Sequence, residues 1–402
     1  MTMLSTKIMR EQFEKIQYQF SIYTRLSDIT SYGMLCQAGN DIFFEAPYLE
    51  LLEHYMPEGI RPYYVQVGYN NKVVGLLYFQ LKYVRLAENL RVADDENASM
   101  IQKAVVPLRN AIVKSLQFQT LICGNLLVTG SYGFKCVMDQ SPDRTFDIVT
   151  QAMDVLKVYL EKDKIYVDLM LIKDLYTMEL PHSKKLQKGF TRFSVQPKMI
   201  FDVHPQWDSI GDYMSQLKSK YRVRAKKAIA SGKILERKRL DYEDIVAHRD
   251  VIYQLYKCIS DQAGFNAFLL HPLYFENLKL ALGDKIQFNS YWMEGRMIAF
   301  YTSVDNYNVM NAHFLGYNVE DNRKYHLYLN ILLDIICEGI ENKVAVIDLS
   351  RTAIEIKSSV GAVPEELFLF VRHTNPIINK SLEMLINVVN PENNYVYRQP
   401  FR

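Results

Sequence analysis

Lys343-Val-Ala-Val-Ile-Asp-Leu-Ser-Arg-Thr-Ala-Ile-Glu-Ile-Lys-Ser-Ser-Val-Gly-Ala-Val-Pro-Glu-Glu-Leu-Phe-Leu-Phe-Val371 is the stretch on which the fold of this chain turns. Val344 to Leu349 is a β-branched, apolar run of the kind a buried strand shows. Asp348 and Ser350 stand at its end, where polar side chains of an α/β sheet face a cleft. Ser350 or Thr352 is placed to cap a short helical turn carrying Glu355 and Lys357. Gly361 then lets the backbone reverse into a second apolar strand, Leu367 to Val371, which closes the same sheet. A carboxylate, two cations (Arg351 and Lys357) and a glycine turn gather at strand ends, a set that suits an anionic substrate. An Asp348–Arg351 ion pair with a solvated Lys357 fits the same spacing.

Upstream, Val195 to Val203 reads as a strand and Pro205 to Gln216 as a helix. Leu217 to Gly232 then holds Lys218, Lys220, Arg222, Arg224, Lys226 and Lys227 with no acid among them. Leu217, Tyr221, Ala225 and Ala228/Ile229 recur at helical spacing, so one side packs while the cations cover the rest. Such a surface is either a solvated face or a holder of phosphates, for which lysine and arginine supply charge and donors. No aromatic residue beyond Tyr221 interleaves the cations, which weakens a stacking-based nucleic-acid reading. Ile234 to Leu240 reads as a strand, Tyr242 to Ser260 and Leu273 to Leu282 as helices. Lys285 to Met293 and Met297 to Val304 form a hairpin about Glu294-Gly295. Tyr307 to Leu315 is a third strand, Leu327 to Ile340 a strongly apolar helix, and Asn375 to Val389 helical.

The first half has the same order of elements. After a short helix from Pro47 to Tyr55, Arg61 to Tyr69 and Val73 to Leu86 form a hairpin about Asn70-Asn71. Asn89 to Met100 reads as an exposed acidic loop and Pro107 to Leu116 as helical. Gln119 to Val128 is a strand, and Asp143 to Leu160 a helix with Phe146, Val149, Met153, Leu156 and Leu160 on one face. Ile165 to Ile172 is the next strand. Gly124, Gly130 and Gly133 lack the spacing of a phosphate loop and read as bends. Hairpin, third strand, amphipathic helix and buried strand therefore occur twice, which predicts a duplicated α+β (mixed α/β) protein with a cleft between domains 1–193 and 194–402.

Composition sets limits on this reading. The 402 residues suffice for two cores; 49% are hydrophobic and 23% charged, ordinary for a folded soluble protein. A net charge of +2 names no partner by itself. Five scattered cysteines (Cys36, Cys123, Cys136, Cys258, Cys337) read as reduced residues and form no zinc pattern, so no metal is expected. The first residues lack the apolar core of a signal peptide, and no run reaches membrane-spanning length, so a cytoplasmic protein is expected.

Four motifs stand out: Tyr221-Arg-Val-Arg-Ala-Lys-Lys-Ala-Ile-Ala-Ser-Gly232, Asp261-Gln-Ala-Gly-Phe265 with Tyr274-Phe275, Tyr291-Trp-Met-Glu-Gly-Arg-Met-Ile-Ala299 and Ile356-Lys-Ser-Ser-Val-Gly361. Together they resemble the Fem-type peptidoglycan-bridge aminoacyltransferases of the GNAT acyltransferase superfamily. The resemblance spans Val195 to Val371 and is closer to the acetyltransferase-like branch than to the bridge-forming enzymes. It implies two tandem GNAT-like domains, each a mixed, mostly antiparallel sheet flanked by helices, with the active site in the second. It further implies transfer of an acyl or aminoacyl group to an amine, on a small molecule or cell-envelope precursor. The donor would be an acyl-CoA or an aminoacyl-tRNA, the latter being the only nucleic acid implied. Lys357 and the basic helix near Arg222, Arg224 and Lys226, with Arg351, would contact phosphates or the reacting carbonyl. Two features depart from the family: Gly316-Tyr-Asn-Val-Glu-Asp-Asn-Arg323 replaces the pyrophosphate loop of CoA-dependent members, and no long RNA-binding helical insertion is present.

Amine acylation needs charge stabilisation on the carbonyl oxygen and two proton transfers. Lys357 is assigned as a fixed positive charge beside the carbonyl. Asp348, His313 or Glu355 would take the amine proton, and Tyr317 would return one to the leaving group. His313 also reads as a core residue and Tyr317 as a sheet-edge cap. The alternative is a catalytically degenerate GNAT-fold protein that binds a ligand or partner.

Overall fold

A computed structural model describes residues 18–33, 41–85, 116–134, 136–137, 142–262, 268–389 and 395–402. The expected acidic loop from Asn89 to Met100, nearly all of the expected helix from Pro107, and residues 263–265 of one motif lie outside the described residues.

The first half begins with β1 (Gln19–Tyr23), α1 (Ala46–Tyr55), β2 (Ile60–Tyr69) and β3 (Lys72–Arg85). Asn70 and Asn71 both have left-handed φ values, 48° and 59°. That is the geometry of the tight hairpin turn that matches strand twist. Then follow β4 (Gln117–Cys123), β5 (Cys136–Val137), α2 (Pro142–Lys162), β6 (Leu169–Tyr176) and β7 (Thr191–Ser194). The five apolar residues aligned along α2 are all buried against this sheet. β6 starts four residues later than its sequence pattern suggests, and Lys173 and Asp174 are inside it.

The second half runs β8 (Lys198–Asp202), α3 (Ile210–Gln216), α4 (Ser219–Gly232), β9 (Glu236–Arg239), α5 (Tyr242–Ala247), α6 (Arg249–Ser260), α7 (Tyr274–Leu282), β10 (Ile286–Met293), β11 (Arg296–Asn306) and β12 (Val309–Tyr317). The single helix expected from Tyr242 is interrupted at His248, whose φ of −113° is not helical. After β12 come α8 (Val319–Tyr325), α9 (Leu327–Glu341), β13 (Val346–Asp348), α10 (Ile354–Ser359), β14 (Val363–Glu365), β15 (Leu367–His373), α11 (Pro376–Lys380) and α12 (Leu382–Val389).

Two mixed, mostly antiparallel sheets result. One has the order β1-β2-β3-β4-β6-β15-β7, with β5 also on β3; the other has the order β14-β8-β13-β12-β11-β10-β9. Each contains one parallel pair joined through a helix, β4 with β6 and β12 with β13. The duplicated order of elements is therefore a duplicated topology. One expectation fails: Leu367 to Val371 does not close the sheet of its own half. β15 crosses over and pairs with β6 and β7 of the first sheet. Sequence pattern marks a strand but not its partner, because a strand flanked on both edges reads the same in either sheet.

Among the described residues three apolar cores stabilise the fold. One lies under α2 in the first half, with Phe370 of β15 built into it. A second lies between the other sheet and α3, α4 and α9. The third is shared: Phe43, Tyr48, Leu52 and Tyr78 of the first half pack with Tyr274, Phe275, Phe288 and Phe300 of the second. Crossed strand and shared core lock the halves together, so polar groups between them are held in fixed geometry.

Candidate active site

β12 and β13 pair in parallel only from Val309↔Val346 to Asn311↔Asp348. Beyond Asn311 no strand among the described residues pairs with that edge of β12, which leaves an opening where the two strands part. At its foot the chain is strained: Ser350, Thr352 and Ala353 have φ of 59°, 69° and 49°, and across the interface Asp174 has 61°. Left-handed conformations cost these residue types about 1 kcal/mol or more each and persist where surrounding contacts enforce them. Neither Ser350 nor Thr352 caps α10, contrary to the sequence reading; Ala353 occupies that position without a side-chain bond. Ser350 instead meets Thr129 of the first half, Oγ to Oγ1 at 3.0 Å.

The Asp348 carboxylate is buried and fully engaged. Oδ1 accepts from the Ser350 N–H at 2.7 Å, and Oδ2 accepts from Asn311 Nδ2 at 2.9 Å and lies 3.1 Å from Lys198 Nζ. Burial opposes charge on Lys198, but Asp348 and the neighbouring Tyr176 outweigh it and hold the ammonium above its usual range. Arg351 does not pair with Asp348. Its guanidinium reaches Asp174 of the first half at 2.5 Å and Gln196 O at 3.0 Å. Asp174 also bonds Lys173 and accepts from Gly130 N–H at 3.1 Å. Its burial alone would raise the carboxyl, yet Lys173 and Arg351 hold it below the ordinary value.

Lys357 is 4% exposed, so it is not a solvated helix residue. Its Nζ donates to Arg351 O at 2.5 Å and to Ser350 O at 3.4 Å. Desolvation, opposed by Asp348, pulls its pKa down to about 7. Glu355, on the same helix, is exposed and pairs with Arg398 at 2.6 Å.

Lys357, Asp348 and Arg351 are thus brought together and Arg224 reaches the short helix that carries Lys357, while His313 and Tyr317 lie elsewhere. His313 stacks on Phe43 and its Nε2 is 2.7 Å from Tyr274 OH, at the shared core. Desolvation lowers its imidazole to about 3. Tyr317 ends β12 beside Tyr328, roughly 20 Å along the strand from Asn311 at about 3.3 Å per residue. On α4, Arg224 reaches Ser359 of α10 at 3.4 Å, Arg222 contacts Ser215 O at 3.4 Å, and Lys226 is exposed. Lys173, Asp174, Lys198 and Asn311 were missed by sequence reasoning. Their one signal was a Lys-Asp pair interrupting the apolar run Leu169-Met-Leu-Ile-Lys-Asp-Leu-Tyr176.

The helix start directly after β12, that of α8, does not fit a pyrophosphate. Asn318 Oδ1 already accepts from the Glu320 and Asp321 N–H groups at 3.0 and 3.1 Å, and both carboxylates sit in that first turn. Asn322 Oδ1 takes the Tyr328 N–H at the start of α9 at 2.9 Å. An anion-binding helix terminus needs free N–H groups and no competing acids. Among the described residues no group of His, Cys, Asp and Glu is placed to hold a metal, and no helix is long and apolar enough to cross a membrane.

No family model and no curated protein matches the chain. Among solved structures it is similar to FemX, with a TM-score of 0.53 and 11% identity over 90% of this chain and 100% of that one. A conserved protein of unknown function from Bacteroides thetaiotaomicron gives 0.50 and 11% over 88% and 99%. A tandem GNAT protein from the clavulanic acid biosynthesis pathway gives 0.49 and 8% over 90% and 99%. The chain thus shares the fold of FemX, in agreement with the Fem-type resemblance of its motifs.

Proposed function

We propose that the protein is an acyltransferase that moves an acyl or aminoacyl group from an activated donor to an amine, at the opening between β12 and β13. The observation that carries this reading is the buried Lys357 amine, drawn down to about 7 beside the strained Ser350–Ala353 turn. A neutral lysine has two N–H bonds and one lone pair. Donation to Ser350 O and Arg351 O uses both N–H bonds and leaves the lone pair as acceptor. This makes Lys357 the base that takes the amine proton, in place of the fixed charge expected from sequence. The amine nitrogen bonds the donor carbonyl carbon, the bond to the leaving sulfur or oxygen breaks, and the Lys357 ammonium returns the proton to that atom. Unpaired N–H groups along β12 receive the oxyanion. Asp348, with its oxygens occupied, orients Lys198 and Ser350. Arg224, Arg222 and Lys226 supply charge for a phosphate-bearing substrate, such as a cell-envelope precursor.

The test is turnover of amine acceptors with acetyl-CoA, longer acyl-CoAs and aminoacyl-tRNA. Lys357→Ala is expected to lower turnover by about 10²–10⁴, the range for loss of a positioned base. Unchanged turnover would remove the assignment. The occupied start of α8 supports a second reading, a GNAT-fold protein that binds without catalysis. Calorimetry separates the two: absence of heat with every donor favours the second.

A further inference from the structure

The outward side of α4 has a pattern that the acyltransferase reading does not use. Ala225, Ala228 and Gly232 are buried against α9, and Leu217, just before the helix, is buried with them. At about 100° per residue the opposite side is the stripe Lys220, Val223, Lys227 and Ala230, and Ile234 follows in the turn after the helix. All five are exposed, Val223 at 61% and Ile234 at 65%. Lysines and aliphatic side chains therefore share the outward side of the helix and the turn that ends it, with Arg224 and Lys226 on its flanks.

No α4 cation forms a salt bridge among the described residues. Elsewhere surface cations find acids, as in Arg296–Asp321 at 2.9 Å, Arg249–Glu276 at 3.2 Å and Arg372–Asp154 at 2.5 Å. Charge is thus left uncompensated where aliphatic side chains are also left in water. Nucleic acid would use the charge but not Val223 and Ile234, and the outward side has no aromatic ring for base stacking. A bilayer with anionic headgroups uses both, because lysines meet the lipid phosphates while aliphatic groups enter the interfacial layer.

We propose that the outer face of α4 docks the protein peripherally on an anionic lipid surface, with Lys220 and Lys227 on headgroup phosphates and Val223 and Ile234 in the interface. This does not depend on acyl transfer, and none of these four residues belongs to the site around Lys357. The test is co-sedimentation of the full chain with phosphatidylcholine vesicles, with and without phosphatidylglycerol. Binding is expected only to the anionic vesicles. Lys220→Gln and Lys227→Gln should each weaken it about fivefold. Val223→Ser with Ile234→Ser should weaken it severalfold further and leave far-UV circular dichroism unchanged. Equal sedimentation with neutral and anionic vesicles would overturn the proposal. So would an unaffected serine variant combined with lysine-dependent retention of single-stranded RNA, which would assign the face to nucleic acid.

Discussion

The Arg351 guanidinium and the Asp174 carboxylate, 177 residues apart, meet at 2.5 Å across the junction of the two halves. Asp174 is fully buried and bonds Lys173 as well. Removing one partner of a buried charge cluster leaves the rest desolvated and underpaired, at a cost of about 3–5 kcal/mol. Arg351→Met is therefore expected to destabilise the protein by about 3 kcal/mol in urea unfolding. Asp174→Asn combined with Arg351→Met should recover part of that loss. A single-variant effect below about 1 kcal/mol would mean that the pair does not hold the halves together.

Lys357 gives the stability a pH dependence with a definite sign. Its folded pKa of about 7 lies below the ordinary 10.5, so between these values the unfolded chain binds more protons than the folded one. Stability must then rise with pH across that window, and below about pH 7 the full cost of a buried ammonium is present. Lys357→Met is expected to stabilise the protein at about pH 6 by up to about 4 kcal/mol, with the gain disappearing toward about pH 10. Unfolding at the two pH values measures this directly. A pH-independent difference would show an ordinary lysine, and turnover should carry an inflection near pH 7 if the amine is the base.

What the sequence made legible depended on the range of the interaction. Asn70-Asn71 and Glu294-Gly295 state their turns locally, through residue types that accept left-handed φ, and both hairpins form where expected. The helical spacing in α2 and the apolar run of α9 likewise reflect burial that local periodicity encodes. The destination of β15 is not local, since its partners are fixed by packing of Phe370 into a core nearly 200 residues upstream. The candidate site divides the same way. Lys357, Asp348 and Arg351 lie in one segment and are legible together, whereas Lys198 joins Asp348 only when β8 pairs with β13, and Asp174 joins Arg351 only when the halves dock. Tyr317 and His313 were drawn in by residue type alone.

Gly361 and Phe401 supply another check. Gly361 has φ +112°, and a Cβ there would enter the Phe401 ring, which also packs near Phe201, Trp207 and Tyr213. Residues 398–402 clasp α10 to α4 through Arg398–Glu355 and through Lys218 N–H to Pro400 O at 2.7 Å. Gly361→Ala is expected to cost at least about 1–3 kcal/mol from backbone conformation alone, with steric displacement of the ring added. Phe401→Ala should relieve the steric part but not the backbone part. A double-mutant cycle in thermal unfolding reads the difference, and strict additivity would show that the two groups do not touch.

His313 is a candidate base by sequence, but its buried surroundings keep it neutral. The ring lies between Phe43 and Tyr274 and Nε2 faces the Tyr274 hydroxyl, so an imidazolium there would lose its hydration without gaining a counter-charge. The pKa near 3 lies below the ordinary 6.5, so the unfolded chain binds more protons between these values and stability falls as pH drops through that window. His313→Phe is expected to flatten this acid dependence. At pH 7 the same change removes one hydrogen bond of the buried Tyr274 hydroxyl, which keeps Tyr48 beside it, at a cost of about 1 kcal/mol that Tyr274→Phe in the same chain should partly restore. Nuclear magnetic resonance of the imidazole should show no titration above about pH 4, and the double variant should keep its turnover. An imidazole that titrates near 6.5, or a double variant without activity, would return His313 to the reaction centre.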